Sequence, residues 1–337
     1  MNINVFKRLA CIATVSVVSF STYGQDLEDF LKEGYIKDSE KVIGAYISPL
    51  MKSASVGLNQ GWYNTAKTHK IVGFDLTISV SALSIPTSET SFNPGKLGLK
   101  NIELDASSPG YPKAPTIFGK DQSPIFRDKN SGDLFEGASG IGLKDEIGRN
   151  IVPMPIANLG IGLPKGTDLK IRFVPEVDLN GEGSFKLFGL GVMHDIKQWI
   201  PGIKLLPFDL AGFVGYTRMT LTLDHEQETM PDANAHSDLT MSATTVQGVI
   251  SKKFSVITFY GGLGYNISKS KIAVKGTYDV DEDGTGDVVN PVNLKFGASG
   301  PRMTAGFRLK LAILTLHADY TLQKYSAFTA GIGFAVR

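Results

Sequence analysis

Apolar and polar residues alternate with a period of two along stretches of 10 residues and more, and no feature of the sequence constrains the fold more tightly. Between 70 and 84, Val72, Phe74, Leu76, Ile78, Val80 and Ala82 alternate with Gly73, Asp75, Thr77, Ser79 and Ser81. The same period returns at 167–179, where Leu169, Ile171, Phe173, Val177 and Leu179 stand opposite Lys170, Arg172, Glu176 and Asp178. It returns again at 301–312, where Met303, Ala305, Phe307, Leu309 and Leu311 face away from Thr304, Arg308 and Lys310. Successive side chains of a strand point to opposite faces, so each stretch reads as a strand with one greasy and one polar face. Soluble strands average about 5 or 6 residues, whereas crossing a bilayer at a tilt takes about 9 to 11. Length therefore favours a membrane barrel over a soluble sandwich, which the period alone does not separate.

The first residues read as an export leader. Lys7 and Arg8 precede an apolar run from Leu9 to Phe20, with Ser21, Thr22 and Gly24 behind it. That run is shorter than the roughly 20 residues of a spanning helix, and the expected leader is 1–24, with cleavage near Gly24 leaving Gln25 first. Cys11, the only cysteine, stands near the start of the apolar run, most of which follows it, whereas a lipid-attachment cysteine comes after the run, which argues against lipid attachment. Once it leaves with the leader, the mature chain has no thiol or disulfide chemistry. Lys and Arg number 34 against 33 Asp and Glu, a balance that disfavours nucleic acid as a partner. No stretch after residue 24 suits a membrane helix, so any span must be built from strands.

Ten candidate strands follow: 70–84, 151–162, 167–179, 183–193, 207–223, 238–250, 254–266, 301–312, 314–323 and 326–337. Short links (163–166, 251–253) alternate with long ones (85–150, 224–237, 267–300), the asymmetry of an outer-membrane barrel with both ends in the periplasm. The link 194–206 is an exception, where 195–199 suggests a short helix. Hairpin candidates at 97–104, and at 271–280 with 291–297, could extend the wall. The expected fold is an all-β, transmembrane, antiparallel up-and-down barrel of about 10 to 14 strands over 67–337. Phe254, Phe259, Tyr260 and Tyr265 suit interfacial girdles, and Phe328, Ile332 and Phe334 give the last strand the amphipathic, aromatic character that barrel-assembly machinery receives. The other expected partner is outer-membrane lipid. A soluble exported β protein is the residual alternative.

Ahead of the barrel, 26–57 carries Leu27, Phe30, Leu31, Val42, Ile43, Tyr46, Ile47, Leu50 and Met51 at helical spacing. It lacks the basic face of an interfacial helix. Residues 25–66 are therefore expected to form a helical plug in the lumen or a segment at its periplasmic rim.

Five segments carry a resemblance: Leu58-Asn59-Gln60-Gly61-Trp62-Tyr63, Gly73-Phe74-Asp75-Leu76, Leu159-Gly160-Ile161-Gly162-Leu163-Pro164, Gly191-Val192-Met193-His194-Asp195-Ile196 and Ala330-Gly331-Ile332-Gly333-Phe334. Through them the chain resembles an uncharacterised Bacteroidota outer-membrane β-barrel family. In architecture it is more loosely similar to the long-chain fatty-acid transporter type, which implies a plugged lumen and hydrophobic small-molecule cargo. A shared fold does not settle function.

The expected lumen-lining residues are Asp75, Lys170, Arg172, Glu176, Arg218, Arg308, Lys310, His317 and Asp319. They could form a selective constriction, but their balanced signs favour cross-strand ion pairs filling a closed lumen. Asp279, Asp281, Asp283, Gly284 and Asp287 follow the first half of a calcium loop, whose oxygen ligands at alternate positions suit Ca2+. Asn290 stands where that loop has its bidentate Glu, and the flanks read as strands, so a solvated acidic tip is the alternative; no other cofactor is implied. His317 and Asp319 are two apart on one strand face, but no nucleophile accompanies them and no enzyme is expected. His194 and Asp195 read as a helix cap, and His69, His225 and His236 show no ligand spacing. Two functions stay open: a channel or transporter, and a plugged structural or surface-interaction barrel acting through 85–150 and 267–300.

Overall fold

The computed structural model describes residues 36–179, 181–224, 235–278, 288–290 and 292–336. Ten antiparallel strands form the wall: β1 (Phe74–Ser84), β2 (Ile151–Leu163), β3 (Thr167–Asp178), β4 (Gly183–Asp195), β5 (Asp209–Asp224), β6 (His236–Phe254), β7 (Ile257–Lys275), β8 (Val292–Leu311), β9 (Leu314–Leu322) and β10 (Ala327–Val336). Each pairs with its chain neighbours, and β1 pairs with both β2 and β10, which closes the barrel. Closure satisfies every strand edge, as backbone in hydrocarbon requires. Among the described residues no helix is long and apolar enough to cross a membrane.

The burial pattern is inverted relative to a soluble protein. On β1, Phe74, Leu76, Ile78 and Val80 are 36–48% exposed, while Asp75, Thr77, Ser79 and Ser81 on the other face are at most 9% exposed. The greasy face points out and the polar face in, which is stable only where the outside is lipid. Outward aromatics include Phe188, Tyr216, Tyr265, Tyr320 and Phe328 toward one end and Phe74, Phe254, Phe259 and Phe334 toward the other.

The wall has the ten strands read from the alternation, with two differences in extent. Residues 271–275 and 292–297 do not make a separate hairpin; they prolong β7 and β8 in unbroken register, Lys271 opposite Lys295. Residues 102–104 do not join the wall. They pair with 125–128, which pair in turn with 134–136, in a small sheet inside the 85–150 segment. This segment forms a cap at the end of the barrel that carries the long loops. The link after β4 holds a short turn of helix at Lys197–Trp199, within the span expected to be helical. Residues 1–35, with the expected leader, and 279–287 lie outside the described residues, and with them the calcium reading.

Helix α1 (Ile36–Gly57) runs inside the barrel against β7 and β8. Small residues let its backbone approach the wall: Ser55 Oγ lies 3.2 Å from Ser268 Oγ, and Ser270 Oγ donates to Met51 O at 3.0 Å. Its larger side chains fill the space between wall and cap. Met51 and Ala54 pack with Leu221, Leu239 and Met241 of β5 and β6, and Val42 packs with Ile102, Ala114 and Phe126 of the cap.

Below α1 the chain descends to the short-turn end and turns back into β1. There Val72 N donates to Gly162 O at 3.1 Å and Gly162 N to Gly73 O at 2.8 Å. A Cβ at Gly162 would stand 2.1 Å from Lys70 O, a main-chain atom with nowhere to go. Gly162→Ala is therefore expected to cost about 1–3 kcal/mol, read as a lower denaturant midpoint in detergent; an unchanged midpoint would mean that this junction is loose.

Candidate functional site: the filled lumen

Residues 58–60 close the C-terminal end of α1 by donating to Ala54 O, Val56 O and Gly57 O, and their own carbonyls, beyond the helix, must be satisfied from elsewhere. Two guanidiniums do so from opposite walls. Arg172, on β3, gives Nη1 to Leu58 O at 2.6 Å, Nη2 to Gln60 O at 2.5 Å and Nε to Asn158 Oδ1 at 2.5 Å. Arg302, on β8, gives Nη1 to Asn59 O at 2.8 Å and Nη2 to Gln60 Oε1 at 3.2 Å. The barrel order places β3 and β8 five strands apart either way round, so the two clamp the segment across the full width of the lumen. Positive charge at a helix C-terminus is also favoured by the helix dipole.

Arg172 is fully buried, and its guanidinium carbon sits 3.5 Å from the centre of the Trp62 ring. Burying a charge costs several kcal/mol unless its donors are used; here carbonyl oxygens and an aromatic face take that role. Trp62 fits because Gly191 and Gly215 face it from β4 and β5: a Cβ at either would lie 2.8–3.0 Å from the indole. Phe213 tilts against Trp62, and Tyr63 meets Phe213 and Tyr260 edge-on. Tyr63 OH donates to Gln247 Oε1 at 2.6 Å, and Tyr260 OH to Asp319 Oδ2 at 2.8 Å.

The third tier lies at the short-turn end. Asp168 accepts both His69 N and a bond from His69 Nδ1 at 2.8 Å each. His69 Nε2 stands 3.4 Å from Asp75 Oδ1, and Lys170 Nζ 3.6 Å from the same oxygen. The cavity bounded by Trp62, Tyr63, His69, Asp75 and Lys170 measures about 10 Å³, room for at most one water.

The lumen-lining residues expected from sequence divide accordingly. Asp75, Lys170, Arg172, Arg308, His317 and Asp319 are buried inside the wall, with Arg308 directly opposite His317. Lys310 lies at the short-turn rim on the inner face, its Nζ 3.1 Å from Ala335 O. Two expectations are corrected. Glu176 is exposed because a bulge between Val174 and Val177 inserts one residue and swaps the faces beyond it; it pairs with Lys186 at 3.2 Å on the outer surface. Arg218 also points outward, since the inward residues of β5 are Ala211, Phe213 and Thr217, and it follows Val214 and Tyr216 on the outer face. Four residues central to the lumen were missed: Asn158, Asp168, Arg302 and His69. Arg302 shares the parity of Thr304 and Arg308, so alternation could have found it, whereas nothing local links His69 to Asp168, 99 residues away.

His317 and Asp319 share a face, but Asp319 bonds to Tyr260 and not to the imidazole. Among the described residues no group of three or more His, Cys, Asp or Glu is arranged to hold a metal. Asp195 does not cap the following turn of helix, whose N-cap is Ile196 with no side-chain bond; its Oδ1 accepts Lys197 N at 2.9 Å in a local turn, and Trp199 Nε1 donates to His194 Nε2 at 2.8 Å.

An apolar belt outside, a hydrogen-bonded lumen inside and a chain segment threaded through it define an outer-membrane-type barrel with a filled pore. Residues 4–336 match a family described as a family of unknown function, DUF6588, and the chain belongs to that family. A comparison with curated proteins finds no match. Among solved structures, the chain is similar to the attachment invasion locus protein Ail of Yersinia pestis, in complex with a heparin analogue (10% identity, 79% of this chain and 100% of that one, TM-score 0.28). It is similar also to the translocator domain of the autotransporter NalP of Neisseria meningitidis (11%, 86% and 93%, 0.29). A third is the toluene transporter TodX of Pseudomonas putida (8%, 86% and 71%, 0.23).

Proposed function

We propose that this protein is an exported outer-membrane barrel whose lumen is permanently occupied, and that it acts through the cap and rim at its long-loop end, held outside the cell. The observation that carries this reading is the double clamp of Arg172 and Arg302 on the carbonyls of Leu58, Asn59 and Gln60. A conduit needs a path, and these bonds together with the His69–Asp168 pair occupy each tier of the lumen. Transport of small hydrophobic molecules, the alternative, would require residues 58–72 to leave and both guanidiniums to lose their acceptors. The cap suits a surface role because it is anchored to the plug: Tyr46 OH donates to Ser139 O at 2.8 Å, and Asp38 accepts Lys100 N and Asn101 N at 2.7 Å. The backbone donors and Lys41 beside Asp38 hold its carboxyl below the usual range against the opposing effect of burial. Lipid around the belt and barrel-assembly machinery acting on β10 are the partners this reading calls for.

The test is conductance of the refolded chain in planar bilayers, with insertion verified independently. The full chain is expected to be silent, and a chain lacking residues 36–60 to show discrete steps. Steady conductance from the full chain would overturn the closed-lumen reading.

A further inference from the structure

The outer face of β5 to β8 changes character abruptly along the strands. On β7, Ile257, Phe259, Leu263, Tyr265 and Ile267 point outward, and the next outward residues are Lys269 and Lys271. Ten residue steps from Ile257 to Ile267, at about 3.3 Å each and a tilt of about 40°, cover about 25 Å along the barrel axis, the height of an outer-membrane apolar band. The two lysines thus begin where the hydrocarbon ends, at the long-loop end.

Register brings two further cations beside them. Arg218 pairs with Ser242, which pairs with Lys269, so one small residue separates their strands. Lys295 is the direct partner of Lys271 across β7 and β8. All four side chains are exposed on the outer face, and among the described residues none forms an ion pair. Among the described residues, the outward carboxylates Asp238 and Glu176 are held by other lysines, Lys275 at 2.6 Å and Lys186 at 3.2 Å. Like charges directly opposite on neighbouring strands are destabilising, so a Lys271–Lys295 pair flanked by Lys269 and Arg218 gains from an anion brought to it. Arg218, Lys269, Lys271 and Lys295 thus lie on adjoining register rows of the outer face, while Asp238 and Glu176 at its edges are each paired to another lysine.

We propose that Arg218, Lys269, Lys271 and Lys295 form a binding site for the phosphorylated headgroup of a glycolipid of the outer leaflet. Strand spacing of about 4.8 Å and a two-residue rise of about 6.6 Å place the four cations within the reach of one sugar headgroup and its phosphates. Arginine forks two phosphate oxygens while the lysines act as point charges. The site lies on the outer wall and does not depend on whether the lumen conducts.

The test uses the full refolded chain in nonionic detergent and bisphosphorylated lipid A as probe, with dephosphorylated lipid A, phosphatidylglycerol and inorganic phosphate as comparisons. Saturable binding of lipid A is expected, with dephosphorylated lipid A and phosphatidylglycerol at least about tenfold weaker and inorganic phosphate without effect at equal concentration. The variant Lys269→Gln/Lys271→Gln/Lys295→Gln is expected to lose about tenfold or more in affinity while its lipid-free denaturation midpoint stays within error, since exposed substitutions of this kind change stability little. If that variant fails to refold, a flatter salt dependence of lipid A binding in Lys271→Gln alone serves in its place. Equal binding of phosphorylated and phosphate-free lipid, or full affinity in the variants, would overturn the proposal; competition by inorganic phosphate alone would reassign the site to a soluble anion.

Discussion

Replacing Arg172 with Ala is expected to destabilise the barrel by about 3 kcal/mol and to let the plug leave its seat. Hydrogen bonds to charged donors contribute about 1.5–3 kcal/mol each, and truncation removes those to Leu58 O, Gln60 O and Asn158 Oδ1 at once. It also strips Trp62 of the cation over its ring. The carbonyls left behind are buried, so their loss is not recovered from water. At 1.4 kcal/mol per decade, 3 kcal/mol raises the unseated population roughly a hundredfold. Two measurements check this: the denaturant midpoint in detergent, expected to fall, and brief conductance events absent from the parent chain. Adding Arg302→Ala should give less than twice the effect, because both arginines hold the one short segment 58–60, sharing Gln60, and their contributions are coupled. Arg172→Lys should rescue little, since a lysine cannot fork to two carbonyls. A fully stable and silent double variant would show that the wall, not the clamp, keeps the segment in place.

The parts of this architecture that were legible in the sequence are those set by a local period. A residue's neighbours two positions away decide which face it takes, so the ten strands and the inward placement of Asp75, Lys170 and Arg172 could be read from alternation alone. The same logic fails where the period slips. The extra residue between Val174 and Val177 turned Glu176 outward, and no hydrophobic cue marks a bulge in Val-Pro-Glu-Val. Arg218 failed for a different reason: on β5 the sequence Val214-Gly-Tyr216-Thr-Arg218-Met has apolar residues on both faces, because the inner face there meets the greasy side of α1. The clamp and the His69–Asp168 pair were out of reach, since they join segments that only barrel closure brings together. The cap was unreadable for a related reason. Its short strands are stabilised by Val42 and Tyr46 of the plug, a contact across more than 50 residues.

The threading direction yields the second large effect. Lys37 and Asp38 sit beside the cap, and His69 and Val72 at the short-turn end, so the chain enters the lumen from the long-loop end and leaves it at the other. The 22 residues of α1 cover about 33 Å of that path. With long loops outside, the first turn of α1 faces the cell-surface side. In a Cys11→Ser background, a cysteine at the exposed Lys37 should be labelled by a membrane-impermeant maleimide on intact cells, and one at the exposed Lys70 only after the envelope is opened. The contrast should be close to all-or-none. Labelling of Lys70→Cys alone on intact cells would reverse the orientation and move the cap and the lysine cluster to the periplasm. Equal labelling of both would mean that the segment does not thread the barrel. The expected pattern has a consequence for assembly: the wall must close around a segment already drawn inward, because β1 and β10 cannot pair afterwards without trapping it. The arginine clamp would then act during closure as well as after it, as the contact that holds residues 58–60 in place while the last strands pair.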